Sequence, residues 1–154
     1  MQHTRRKVLK SGGGAGVLAL LFAAGIVRPA KGLAQSGNAF SMKTVPDAMR
    51  ALGAQNAAAS AGILIKAPEI AENGAVVPIA VESRLAGTES ITLLIEKNPN
   101  PLAASFNIPA GTEPNVSTRV KIGESSDVYA LVKAEGKYFM AKKEIKITLG
   151  GCGG

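Results

Sequence analysis

The sequence predicts an all-β fold: an immunoglobulin-like antiparallel β-sandwich with a short N-terminal helical segment and a flexible C-terminal arm. Beyond residue 62, short runs of apolar and β-branched residues are separated by Pro, Gly and Asn, which form turns. No segment between these runs has the apolar spacing of a helix. About seven strands, with turn signals roughly every 8 to 14 positions, are typical of a two-sheet sandwich.

The strands are predicted from runs that stop at turn signals. The clearest run is the one in which Val116, Thr118 and Val120 alternate with polar residues, a pattern that indicates a strand with one buried face. The predicted strands cover residues 63–65, 75–81, 91–96, 102–108, 116–122, 127–134 and 137 onward.

Further details of these strands follow from single residues. Glu135-Gly136 is predicted to join the last two strands as a tight hairpin, because glycine supplies the positive φ that such a turn requires. Pro78 lies inside its strand and cannot donate a ladder hydrogen bond, so that strand is predicted at a sheet edge. The final run, 143–149, alternates again, and its predicted inward residues are Ile145, Ile147 and Leu149.

A short helix that caps a sheet is predicted to begin at Thr44. This residue offers a capping hydroxyl, a proline follows in the first turn, and Asp47 comes three residues after the cap. The predicted apolar stripe consists of Val45, Met49 and Leu52. Gly53 ends or interrupts the helix, and residues 54–60 are compatible with one further turn.

The first 34 residues have the layout of an export signal. The basic run TRRKVLK contains Arg5 and Arg6 and is followed by an uncharged apolar stretch, residues 12–27. This stretch of about 16 residues is shorter than the roughly 20 of a membrane-spanning helix, and small residues just before Gln35 favour cleavage there. The arginine pair resembles the twin-arginine signal, so the mature protein is expected in the periplasm.

These features divide the chain into four predicted parts. They are a twin-arginine signal peptide at 1–34, a linker and short helix at 35–61, the sandwich at 62–149 and an arm at 150–154. The first part holds six of the 18 basic residues and none of the 11 acidic ones, which explains most of the formal charge of +7. With 12 basic against 11 acidic residues elsewhere and 4% aromatic content, no nucleic-acid partner is expected. After signal cleavage, no membrane partner is expected either.

The residue types of the mature chain disfavour an enzyme, a metal site and a bound cofactor. The single histidine, His3, belongs to the predicted signal, so Ser-His and Cys-His pairs and the commonest metal ligand are missing. The carboxylates form no recognisable acid/base pair, and no glycine-rich phosphate loop opens a helix. The one cysteine, Cys152, cannot form an internal disulfide, which leaves an intermolecular link or a working thiol.

That cysteine lies in the terminal sequence TLGGCGG. It is flanked by Gly150, Gly151, Gly153 and Gly154, which give the chain minimal width and free choice of φ. Because the thiol is the strongest nucleophile of the chain, we predict that Cys152 holds a covalent cargo and that the glycines form a swinging arm. The alternative is a glycine tail with an incidental cysteine.

Several segments resemble the SoxY family, the sulfur-carrier subunits of the periplasmic thiosulfate-oxidising Sox system. They are AENGAVVPIAVES at 71–83, EKNPNPLA at 96–103, STRVKI at 117–122 and the terminal GGCGG. The resemblance implies a heterodimer with SoxZ and sulfur attachment at Cys152. It also implies transient docking with SoxXA, which would join thiosulfate to the thiol, with SoxB, which would release sulfate, and with SoxCD, which would oxidise the remaining sulfur.

Two other interpretations stay open from the sequence. Chains that end in Gly-Gly resemble ubiquitin-like sulfur carriers, which bear a thiocarboxylate on the terminal glycine, although export would separate the protein from the cytoplasmic ATP that this activation needs. Alternatively, the protein is a structural subunit whose Cys152 forms only an intermolecular disulfide.

Overall fold

The computed structural model describes residues 38–148, which contain the helix α1 at Val45–Ala51 and nine strands. The strands are β1 Ala58–Ala59, β2 Ile63–Lys66, β3 Ile70–Ala71, β4 Val77–Ser83, β5 Thr88–Ile95, β6 Leu102–Asn107, β7 Asn115–Val120, β8 Ser126–Ala134 and β9 Lys137–Ile147. The signal peptide predicted at 1–34, the inward position of Leu149 and the arm at 150–154 lie outside the described residues and stay predictions.

The strands form two sheets. The larger sheet has the order β1-β9-β8-β5-β6, with β3 also paired to β9, and the smaller sheet has the order β2-β4-β7. Apolar side chains of both sheets share one buried cluster, to which Ile79 and Val81 contribute from the smaller sheet and Ile91, Leu93 and Val132 from the larger one. The predicted immunoglobulin-like sandwich is therefore confirmed. The pairing is antiparallel throughout except for β1 and β3, which run parallel to β9.

The larger sheet buries its outer face as well. Leu94 and Leu131 point away from the sandwich core into a second cluster, where they meet Val45 and Ala48 of α1. This arrangement explains why residues 91–95 are buried without interruption, although alternate residues of a strand face opposite sides. The helix thus covers the sheet, as the sequence predicted.

The predicted start of α1 is confirmed in detail. Thr44 is the N-cap, and its Oγ1 accepts from the backbone N–H of Asp47 at 3.2 Å while its hydroxyl donates to the Asp47 carboxylate at 2.8 Å. The helix ends before Gly53, where Gly53 N–H donates to Arg50 O and Ala54 N–H to Met49 O. This pair of bonds is the Schellman arrangement, which satisfies the last carbonyls of a helix.

The apolar face of α1 differs in part from the predicted stripe. Val45 is buried as expected, and Met49 and Leu52 are half-buried against the second cluster. The most buried position is Ala48, which the stripe omitted because alanine is a weak hydrophobic signal. The small side chain lets the helix approach the sheet closely.

The further helical turn proposed for residues 54–60 is wrong. Ala58 and Ala59 form β1, which pairs in parallel with Phe139 and Met140 of β9. Ser60 N–H extends the pairing by donating to Met140 O at 3.0 Å. The exposed edge of β9 offers hydrogen-bonding groups to this segment, and that tertiary contact overrides the helical preference of its alanines.

The hairpin between the last two strands is confirmed. Glu135 and Gly136 have φ of 49° and 72°, the positive pair that a two-residue hairpin turn requires. The flanking residues Ala134 and Lys137 pair directly. From this turn β9 continues unbroken to Ile147, so residues 143–147 of the alternating run form the second half of one long strand.

The edge position predicted for the strand of Pro78 is wrong. That strand, β4, lies at the centre of the smaller sheet, between β2 and β7. The proline is tolerated because β2 ends at Lys66, which pairs with Ala80, so at Pro78 only Arg119 of β7 lies alongside. The strand is central, but its first residues have a neighbour on one side only.

Candidate functional site

The structure describes the end of the sandwich from which the chain continues toward Cys152. The predicted site residues lie beyond the described range: Cys152 with Gly150, Gly151, Gly153 and Gly154 at one end of the chain, and Arg5 and Arg6 of the export signal at the other. Thr148, four residues before the cysteine, is the last described residue. The described part of the candidate site is the attachment of this segment to the domain.

The end of β9 is held on its outer edge by β3. Lys146 N–H donates to Glu69 O at 2.9 Å, and Thr148 N–H donates to Ala71 O at 3.2 Å. Ile145 is fully buried in the sandwich core, so the strand is anchored by its side chains as well as by its backbone. The chain is consequently fixed as far as Thr148.

The loop between β3 and β4 packs directly beneath this strand end. Gly74 O accepts from Ile122 N–H at 2.7 Å, and a Cβ on Gly74 would overlap the carbonyl oxygen of Ile122 and lie 3.2 Å from Ile147 Cγ2. Only glycine fits such a close approach of two backbones. Gly74 therefore lets the loop support the last residues of β9.

Asn98, in the turn between β5 and β6, ties two loops of the same end together. Its Nδ2 donates to Lys121 O at 2.8 Å, and its Oδ1 accepts from Gly123 N–H at 3.1 Å. Nearby, Ser125 Oγ accepts from Ile147 N–H at 2.9 Å. These bonds connect the turn after β5, the loop after β7 and the end of β9 into one rigid base.

Two polar pairs near this end involve side chains of β8 and β9, and Glu96, directly after β5, belongs to one of them. Tyr129 donates its hydroxyl to the Glu96 carboxylate at 3.2 Å, and burial, followed by the charge of Glu96, raises the pKa of Tyr129. Lys142 lies 2.8 Å from the Asp127 carboxylate, which raises the pKa of Lys142 through this hydrogen bond. Both shifts favour the forms already present at neutral pH, a neutral phenol and a charged ammonium, so neither group is prepared for proton transfer.

Two further features were sought in the part of the chain that the structure describes, a metal-ligand cluster and a membrane-spanning helix. Within 38–148, no cluster of three or more His, Cys, Asp or Glu side chains could hold a metal ion. In the same range, no helix is long and apolar enough to cross a bilayer.

Sequence reasoning missed the residues that build this base. Ala71, Ser125 and Asn98 were not identified, and β3 was not predicted as a strand. The turn signals Asn73-Gly74 and Asn98-Pro99 were visible in the sequence, but the partners of Gly74 O and of the Asn98 side chain lie 23 or more residues away and depend on the fold.

Comparison with known families identifies the chain. The family described as "Sulfur oxidation protein SoxY" matches residues 48–152, which is more than half of the chain and includes Cys152. The chain belongs to the SoxY family. The matched range therefore includes both the described sandwich and the glycine-flanked cysteine.

Comparison with solved structures agrees with this assignment. The sulfur carrier protein SoxY from Chlorobium limicola f thiosulfatophilum is similar with a TM-score of 0.62 and 36% identity, over 73% of this chain and 98% of that one. A superoxide reductase (neelaredoxin) from Ignicoccus hospitalis is similar with a TM-score of 0.49 and 23% identity, over 55% of this chain and 79% of that one. A comparison with curated proteins finds no significant match.

Proposed function

We propose that this SoxY-family protein is a sulfur carrier that holds thiosulfate-derived sulfur covalently on Cys152 and presents it to enzymes of sulfur oxidation. The observation that carries the proposal is the position of this cysteine: the family match extends to it, and it follows the last residue of β9 by five positions. The similar Chlorobium protein is itself described as a sulfur carrier. In this role the protein carries the sulfur on which its partner enzymes act, and it is not itself an enzyme.

The proposed loading step joins the Cys152 sulfur to the outer sulfur of thiosulfate. The thiol loses its proton and the new S–S bond releases two electrons, which the haem protein SoxXA accepts, leaving Cys152–S–S–SO3⁻. SoxB then adds water to the sulfonate sulfur, which releases sulfate and two protons and leaves a persulfide on the cysteine. Where SoxCD is present, it adds three oxygens from water to the terminal sulfur and takes six electrons, and a second hydrolysis returns the thiol.

The proposal assigns separate roles to the rest of the chain. Gly150, Gly151, Gly153 and Gly154 form the swinging arm, because residues without side chains can follow the cysteine into a narrow active site. Arg5 and Arg6 direct export by the twin-arginine route to the periplasm. The described sandwich pairs with SoxZ, and the resulting heterodimer docks transiently with SoxXA, SoxB and SoxCD.

Intact-mass analysis of the mature protein tests the carrier role. Protein purified with its partners is incubated with thiosulfate and SoxXA, and its C-terminal peptide is then sequenced by mass spectrometry. We expect the mass of one S2O3 group on Cys152, removable by a thiol reductant, and no addition in Cys152→Ser. A thiocarboxylate on Gly154 would instead support a ubiquitin-like carrier, and a disulfide-linked dimer as the sole product would support a structural link.

A further inference from the structure

The loop between β3 and β4 contains the sequence Asn73-Gly74. Of the seven asparagines in the chain, Asn73 alone is followed by glycine, and the others precede alanine, proline, isoleucine or valine. The difference matters because an asparagine side chain loses its ammonia when the backbone nitrogen of the next residue attacks its Cγ. A following side chain hinders this close approach, and a following proline has no N–H to lose. The sequence therefore makes Asn73 the most reactive asparagine of the chain.

A hydrogen bond holds the Asn73 side chain close to the nitrogen that attacks it. Ala75 N–H donates to Asn73 Oδ1 at 2.9 Å, which is an Asx turn. The ring that this bond closes contains both the Cγ of Asn73 and the nitrogen of Gly74, so the bond restricts how far these two reacting atoms can separate. The same N–H lies at the oxygen on which negative charge develops during the attack, and a donor at that position stabilises the tetrahedral intermediate.

The asparagine and the glycine differ in their surroundings. Asn73 is exposed, so water reaches its side chain, whereas Gly74 is buried. Gly74 O accepts from Ile122 N–H at 2.7 Å, and the position of a Cβ on Gly74 lies 3.2 Å from Ile147 Cγ2. A reaction at Asn73 is thus open to solvent, and its products change the chain directly beside a close contact with the last residue of β9.

We propose that Asn73 is a site of spontaneous deamidation in the folded protein and that its isoaspartyl product weakens the support of the end of β9. The Gly74 nitrogen loses its proton to water and bonds to the Cγ of Asn73, the Cγ–Nδ2 bond breaks, and Nδ2 leaves as ammonia after taking a proton from water. Water then opens the resulting succinimide, so neither an oxidant nor an enzyme is required. The inference goes beyond the carrier function and does not depend on it.

Water opens the succinimide at either of its two carbonyl groups. Attack at Cγ gives aspartate, whose Oδ1 can still accept from Ala75 N–H, so the turn is kept. Attack at the backbone carbonyl gives an isoaspartyl residue, in which the chain runs through Cβ and Cγ and the backbone is longer by one CH2 group. Because Gly74 is packed against Ile122 and Ile147, the loop cannot absorb this extra length without moving. We expect the isoaspartyl form to loosen the loop.

Peptide mapping of the intact protein tests the modification. The folded protein is kept at about 37 °C and about pH 8 and is then digested beside protein that was not incubated. Trypsin releases residues 67–84 as one peptide, and Asn73 provides its only amide side chain. With time, we expect this peptide to gain the mass difference between a carboxyl and an amide group, and to separate by chromatography into aspartyl and isoaspartyl forms.

Asn56 is the control within the same molecule. It is exposed like Asn73 but is followed by alanine, and the rate of its conversion should be lower by about tenfold or more. A second sample, unfolded in urea, shows whether the folded state permits the reaction. An unchanged 67–84 peptide, equal conversion at Asn56, or conversion of Asn73 in urea alone would each overturn the proposal.

Asn73→Ser is the matched variant for the effect on the loop. Serine has no side-chain carbonyl to attack, but its hydroxyl can accept from Ala75 N–H in the same kind of turn. The isoaspartyl fraction of incubated wild-type protein should unfold about 4 °C below fresh protein and exchange the Ile122 amide about tenfold faster. Incubated Asn73→Ser should match its fresh sample in both measurements, and Asn73→Thr replaces it if it fails to fold. Equal values for the isoaspartyl fraction and fresh wild type, or the same decline in the variant, would overturn the link between Asn73 and the support of β9.

Discussion

Ile147 donates its backbone N–H to the side-chain oxygen of Ser125 at 2.9 Å, so the last residue of β9 is bound by a residue in the loop that precedes β8. The bond joins opposite ends of the β8–β9 hairpin sequence, 22 residues apart. Its consequence is mechanical. The chain is held by the domain up to the end of β9, and Cys152 follows Ile147 by five positions in the sequence.

Removal of this bond should loosen the base of the arm. In Ser125→Ala the Ile147 amide loses its acceptor, and we expect a loss of about 1 kcal/mol in the free energy of unfolding. The midpoint of thermal unfolding should fall by about 4 °C. Amide hydrogen exchange at Ile147 and Thr148 should accelerate more than elsewhere in β9.

A matched control for this variant is Ser117→Ala on β7. Ser117 is exposed, and its hydroxyl makes no hydrogen bond to another described residue. Its replacement should leave both stability and exchange at Ile147 unchanged. Identical exchange in Ser125→Ala and the wild type would show that the serine does not hold the strand end.

The glycine beneath the arm base should not tolerate any side chain. Gly74→Ala places a methyl group against the Ile122 carbonyl, a backbone atom that cannot rotate away, and we expect a loss of about 1–3 kcal/mol in stability. Gly123→Ala is the control, because a Cβ there would meet only Asn98 Oδ1, at 3.8 Å. Urea unfolding of both variants measures the difference, and equal midpoints would contradict the tight fit at Gly74.

Acid should weaken the ion pair between β5 and β8. The hydrogen bond from Lys133 and then that from Gly136 N–H lower the pKa of Glu89, and the Lys133 Nζ lies 2.7 Å from its carboxylate. Because the folded-state pKa is lowered, the ionised form stabilises the fold above the unfolded-state value of about 4.3. This contribution is lost as pH falls through the folded-state pKa.

The variant Glu89→Gln makes this dependence measurable. Its urea midpoint should lie slightly below that of the wild type at about pH 7, and the two should converge at about pH 3. Glu124→Gln is the control, since Glu124 is exposed and forms no ion pair with another described residue. A difference between Glu89→Gln and the wild type that persists in acid would assign the effect to packing rather than charge.

Much of the fold could be predicted because its signals are local. The hairpin at Glu135-Gly136 depends on two residues, and the cap at Thr44 on four, so neighbouring sequence was sufficient. Pro78 misled the prediction because its tolerance depends on where β2 ends, a fact of tertiary structure. β1 and β3 were missed because two-residue strands exist only through their pairing with the edge of β9.

The candidate site likewise has one part that local sequence predicts and another that depends on tertiary structure. The sequence alone pointed to Cys152, because a single thiol among glycines is a local and unusual pattern. The base that fixes its reach could not be predicted, since Ser125 and Ala71 meet β9 only after the sheets have formed. The same holds for the exposure of Ile70, which reads as an ordinary core residue in the sequence.

Replacement of the cysteine should separate function from folding. Cys152→Ser should abolish thiosulfate-dependent turnover in a reconstituted system, because an alcohol forms no stable bond to sulfane sulfur. Its unfolding midpoint and its pairing with SoxZ should equal those of the wild type, since the residue lies beyond the last strand. Turnover at the wild-type rate in this variant would exclude Cys152 as the attachment site.

The glycines beside the cysteine should be required for fast sulfate release, because they keep the chain narrow enough to enter an active site. Gly151→Val and Gly153→Val add branched side chains next to Cys152, which should obstruct entry into a narrow active site and lower the rate of sulfate release by SoxB about tenfold or more. Alkylation of the thiol by iodoacetamide in free solution should stay within about twofold of the wild type, because that reaction needs no passage through an enzyme channel. If alkylation slows as much as enzymatic release, the valines shield the thiol itself; if neither rate changes, the thinness of the arm has no role.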